Sequence, residues 1–67
     1  MLKNLCIETY VRHDCNWKDA LDDALLLASK TDTPVRVHYI TNYHYNWVIT
    51  PETTKEDMKI IKRLKVV

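Results

Sequence analysis

The chain of 67 residues has room for one domain (residues 1–67) and one core, because a chain this small buries only about 60% of the surface its unfolded form exposes. It is 46% hydrophobic and 28% charged, with a net charge of +1, a balance that argues against wholesale coating of nucleic acid or binding to an anionic membrane surface. Glycine is absent, which excludes phosphate-cradling loops, nucleophile elbows and dinucleotide fingerprints, all of which need a residue without Cβ at a sharp turn or close approach.

Residues 2–12, LKNLCIETYVR, alternate: Leu5, Ile7, Thr9 and Val11 on one side, Cys6, Glu8, Tyr10 and Arg12 on the other, the pattern of a half-buried strand. The polar cluster HDCN interrupts it, and Asn16 stands where a helix N-cap belongs. From Trp17 the apolar residues recur as Trp17, Ala20, Leu21, Ala24, Leu25 and Ala28, one face of a helix with Asp19, Asp22 and Asp23 in its first turns and Lys30 in its last. The longest unbroken apolar run, Ala24–Ala28, is far short of the ~20 residues a membrane span needs. TDTP (31–34) ends the helix, since the residue before a proline is biased out of helical geometry. Two strands follow, VRVHYIT and YNWVIT. PETTKEDMKIIKRL then reads as a second helix, with Thr53 and Glu56 spaced as a capping box and Met58, Ile61 and Leu64 as its apolar stripe. The last residues, Leu64–Val67, either fray from that helix or add a fourth strand.

The expected fold is therefore α+β: a two-layer βαββα domain with a small antiparallel or mixed sheet and two helices on one face. With a fourth strand the order becomes βαββαβ, that of the ferredoxin-like fold; this is a likeness of element order only.

Hairpin register follows from parity, because a one-residue slip turns every side chain to the other face. A two-residue turn at Asn42-Tyr43 puts Tyr45 and Trp47 on the face of His38 and Arg36. A three-residue loop, Asn42-Tyr43-His44, pairs Tyr39 with Trp47 and Val37 with Ile49 and gathers the large apolar groups on one side. The odd loop is the expectation, with Asn42 in left-handed backbone geometry in place of a glycine. On this reading Tyr39, Tyr45 and Trp47 are core, and Tyr43 and His44 form an exposed tip.

No catalytic or metal motif emerges, and neither enzymatic activity nor a cofactor is expected. Cys6, His13 and Cys15, with His38 or His44, could supply four zinc ligands. Cys6 and His13, however, stand about 23 Å apart along an extended strand. There is no C-x-x-C knuckle. A Cys15–His13 nucleophile pair near a helix start lacks an evident oxyanion loop. Asp14, Asp19, Asp22 and Asp23 are explained by capping and the helix dipole. Two cysteines are too few for a secreted disulfide scaffold, and no leader is evident, so a cytoplasmic protein is expected.

What remains is a surface. Tyr10, Arg12, Arg36, His38, Ile40, Tyr43, His44 and Val48 are the candidate partner-binding residues, a mixture of aromatic, aliphatic and arginine side chains that protein interfaces favour. The first expectation is a non-enzymatic module that binds a larger protein target, or pairs as a homodimer. Small proteins of this style are encoded by phages and mobile elements to block a host enzyme or defence protein by occluding its site. The alternative is nucleic-acid binding in the manner of an RNA-recognition motif, with Tyr10 and Tyr43 stacking and phosphates on Arg12, Arg36 and the basic stripe Lys55, Lys59, Lys62, Arg63 and Lys65. Against it stand the small net charge and the absence of phenylalanine. A third reading is a homodimer that captures a small nucleotide or metabolite near Arg36, His38 and Tyr39.

Overall fold

The computed structural model describes residues 5–64, in the order β1 (Ile7–Val11), α1 (Trp17–Thr31), β2 (Val35–Ile40), β3 (His44–Ile49) and α2 (Lys55–Lys62). This is the βαββα order that hydrophobic patterning predicts. The three strands form one mixed sheet in the order β1-β2-β3, β1 parallel to β2 and β2 antiparallel to β3. A parallel pair needs a long crossover, and α1 supplies it. Because β1 lies directly beside β2, the βαβ unit is not split as it is in a ferredoxin-like arrangement. The suggested fourth strand at Leu64–Val67 falls almost wholly outside the described residues; Leu64 itself is a bend.

Strand β1 is shorter than its alternating pattern, since Leu5 and Cys6 precede the ladder. Asn16 caps α1, its side chain accepting the Lys18 N–H. The helix closes on Asp32 at φ 52°, the single non-glycine residue with positive φ among the described residues. Aspartate tolerates that geometry better than most side chains, which suits a chain without glycine. The capping box of α2 lies one residue beyond the expected Thr53–Glu56. Thr54 accepts the Asp57 N–H at 3.1 Å and the Asp57 carboxylate accepts the Thr54 N–H at 3.1 Å. Thr53 is occupied elsewhere, its hydroxyl accepting the Thr50 N–H.

The hairpin loop is odd, as face parity requires, but it spans 41–43 rather than 42–44. Tyr39 therefore pairs with Tyr45 and Val37 with Trp47, two residues from the expected register, and His44 belongs to β3 rather than to the tip. Thr41 sets the earlier closure: its N–H donates to the Tyr43 carbonyl at 2.8 Å and its hydroxyl accepts the Tyr43 N–H at 3.2 Å. No left-handed residue is needed, so Asn42 does not take that geometry. A shift of two preserves the faces, and the apolar side of the sheet is the one expected.

Both helices pack on that side. Leu21, Ala24 and Ala28 of α1, Val35 and Val37 of β2, Ile49 of β3 and Met58 of α2 make one buried cluster. Tyr39 is buried beside it, and its hydroxyl donates to the His13 carbonyl at 3.3 Å. Trp17 stacks on Trp47 with ring centroids 4.9 Å apart, and Trp47 on Tyr45 at 6.2 Å, closing the end of the core with a half-buried aromatic row.

Candidate functional site: the uncovered sheet face

Strand alternation sends Glu8 and Tyr10, Arg36, His38 and Ile40, and His44, Asn46 and Val48 to the side of the sheet away from the helices. No described element covers this face. Tyr10, Ile40 and Val48 are 70%, 51% and 46% exposed. At its centre, His38 is only 8% exposed.

Neighbours on the same face, and not a second layer, bury His38. Tyr10 lies opposite it in the parallel ladder and stacks on its ring, with centroids 4.5 Å apart and planes 12° from parallel. Its Nε2 lies 2.5 Å from Glu8 Oε1, and its Nδ1 lies 2.8 Å from Nε2 of His44. A carboxylate and two imidazoles thus form a hydrogen-bonded line across all three strands. An ionised carboxylate only accepts, so His38 Nε2 carries a proton in this contact, and the tautomers of the two rings set which nitrogen donates between His38 and His44.

The line joins two residues that sequence reasoning placed in a candidate surface, His38 and His44, to one that it passed over, Glu8. The alternation of β1 already put Glu8 on the face of Tyr10. The missing information was the parallel pairing of β1 with β2, which a contact 30 positions apart in sequence does not announce.

The other candidates scatter around this centre. Arg36 is exposed, and its guanidinium has no partner among the described residues. Arg12 lies just beyond β1 and pairs with Asp14 at 3.0 Å. Tyr43 stands exposed at the hairpin tip, edge-on to Tyr45 with centroids 6.2 Å apart. The basic stripe is not part of this face. Helix α2 packs on the apolar side, where Lys62 reaches Asp22 of α1 at 2.6 Å and Lys59 lies 3.7 Å from Glu56. Juxtaposition of a basic and an acidic helix accounts for that pair of charges. Lys65 lies outside the described residues.

Apart from the His38–His44 contact, the cysteine and histidine candidates form no metal-holding group among the described residues. Cys6 is half-buried beside β1, while Cys15 is exposed with its thiol 3.7 Å from the Asp14 carboxylate. Among the described residues no three His, Cys, Asp or Glu side chains are arranged to hold a metal ion, and no helix is long and apolar enough to cross a membrane. No protein-family model, no curated protein and no solved structure matches this chain.

Proposed function

We propose that this chain is a non-enzymatic protein-binding module of the cytoplasm that docks its uncovered sheet face on a larger folded partner and acts by occluding that partner's site, in the manner of small phage-encoded inhibitors. One observation carries the reading. Both helices cover the same side of the sheet, and the other side presents Tyr10, Ile40 and Val48 around Arg36, whose guanidinium has no partner among the described residues. Tyrosine and arginine anchors ringed by aliphatic groups are the composition of interface centres. The Glu8–His38–His44 line and the Tyr10 stack hold the middle of the face in one arrangement, so less side-chain entropy is lost on docking. A fitting partner offers an apolar patch to Tyr10, Ile40 and Val48 and a carboxylate to Arg36.

The flat of the sheet alone is smaller than a standard interface. Three strands about 4.8 Å apart and five residues long at about 3.4 Å each span roughly 14 by 17 Å. That is a projected area of roughly 240 Å², well short of the about 800 Å² per side of a standard interface. A larger target can also engage the tip at Tyr43 and the end of β1 at Arg12. A nucleic-acid strand laid across Tyr10 finds Arg12 and Arg36 beside it, but the lysines of α2 lie behind the sheet.

The test is site-specific photocrosslinking in cells, with benzoylphenylalanine at Ile40, at Val48 and, as a control, at exposed Ser29 of α1. We expect one protein adduct from Ile40 and Val48, none from Ser29, and loss of the adduct when Arg36→Glu is added. Equal adducts from Ser29, adducts indifferent to Arg36→Glu, or adducts removed by nuclease would each overturn the reading.

A further inference from the structure

We infer that the free edge of β1, with the groove between β1 and α1, accepts an extended basic peptide segment of a partner protein as an added strand. The site adjoins the uncovered face, sharing Tyr10 and Arg12 with it, but its edge and groove do not depend on what docks there.

Strand β1 pairs only with β2 among the described elements, and its first ladder bond runs from the Ile7 N–H to the Pro34 carbonyl at 2.9 Å. Backbone groups of successive residues alternate sides along a strand. Ile7, Thr9 and Val11 therefore point theirs at β2, and Glu8 and Tyr10 point theirs outward. Each outward residue offers an N–H and a C=O to a new neighbour. Natural edges are commonly blunted by lysine, proline or a bulge. The five-residue segment IETYV contains neither lysine nor proline, carries one charge at Glu8, and is otherwise rich in strand-forming residues.

A groove runs beside this edge. Thr9 and Val11 form one wall and Ala20, Ala24 and Leu27 of α1 the other, of an open groove of about 210 Å³. The two alanines, one helical turn apart, leave the space that longer side chains would fill. The groove continues toward the start of α1 as a wider trough of about 410 Å³, past Asn16 and Asp19. A strand added to β1 sends every second side chain toward the helix layer, and small aliphatic groups fit there.

Charge selects the occupant. Asp19 and Asp23 line the trough, exposed and without an ion pair among the described residues, whereas Arg12, which also lines it, is paired with Asp14. Their neighbours Asp22 and Asp14 are already engaged, with Lys62 and Arg12. Like charges four apart on a helix destabilise it, and a lysine or arginine from a docked strand relieves that repulsion. The occupant is therefore an extended segment that alternates aliphatic with basic side chains.

The experiment titrates the full ¹⁵N-labelled chain with a blocked peptide alternating lysine and valine, and with its glutamate–valine counterpart, reading amide shifts and hydrogen exchange. We expect the basic peptide to shift Thr9, Tyr10, Ala20 and Ala24 and to slow exchange of the Glu8 and Tyr10 amides at least tenfold, and the acidic peptide to do neither. In a double variant, Asp19→Asn with Asp23→Asn, affinity should fall about tenfold while exchange in the free protein is unchanged; Arg36→Glu should leave affinity as it is. The inference is overturned if the peptide shifts only residues of the uncovered face, if neither peptide binds at millimolar concentration, or if the double variant binds as tightly. It is equally overturned if the Glu8 and Tyr10 amides are protected in the free protein, which at all concentrations means that the chain covers its own edge and, only at high concentration, that a second copy does.

Discussion

His38 occupies the middle of a face that no helix covers and is nevertheless 8% exposed, because Tyr10, Glu8 and His44 close around it. Both ring nitrogens are used, so the residue is held in orientation as well as in place. With Nε2 donating to the Glu8 carboxylate, two-bond ¹H–¹⁵N correlation spectra should show a proton on His38 Nε2. Removing the acceptor leaves a nearly buried donor unmet. Glu8→Ala should lower stability by about 1–2 kcal/mol in urea unfolding, and Glu8→Gln, which keeps an acceptor oxygen, by clearly less. Equal effects of the two substitutions would show that the hydrogen bond does not hold His38. Legibility at this scale was uneven. The face of each residue could be read from alternation within its own strand. That Glu8 reaches His38 depends on the offset between two parallel strands, and no turn links them to fix that offset.

At the scale of elements, local chemistry accounts for most of what forms. Asn16 and the periodicity of Trp17–Ala28 mark α1 because a side-chain acceptor at the N-cap and an apolar stripe each act within a few residues. The start of α2 shows the limit of such reading. Two adjacent threonines, Thr53 and Thr54, are each followed three positions later by an acid, Glu56 and Asp57, so spacing alone does not choose between them. The turn chooses: Thr53 is drawn back to the Thr50 N–H, which leaves Thr54 to cap. Thr54→Ala should therefore cost about 1 kcal/mol in thermal or urea unfolding, and Glu56→Ala no more than about 0.5 kcal/mol. The reverse ranking would restore the Thr53–Glu56 box. The hairpin is a similar case, since parity of the loop determined the faces but the hydroxyl of Thr41 decided where the loop closed.

On the scale of the whole molecule, one small cluster holds two layers together. Domains of this kind are stable by roughly 0.05–0.15 kcal/mol per residue, which for 67 residues is about 3–10 kcal/mol. Leu21 lies fully buried at the centre of that cluster, and a buried Leu→Ala change costs about 2–5 kcal/mol. Leu21→Ala should leave much of the protein unfolded at 37 °C by far-ultraviolet circular dichroism. Leu26→Ala, on the exposed side of the same helix, should change stability by no more than about 0.5 kcal/mol. Similar losses at both positions would mean that Leu26 is covered, and hence that the helix layer has a partner of its own.

The sequence by itself determined the element order, the inward face of every strand and a composition without glycine. Each of these follows from interactions between residues close in the chain, or from composition alone. Only the tertiary structure decided that β1 joins β2 in parallel at the edge of the sheet, that Glu8 meets His38, and that Lys62 meets Asp22. Those contacts link residues far apart in sequence. They depend on how whole faces pack against one another, and hydrophobic packing is too non-directional to be read from any one stretch of the chain.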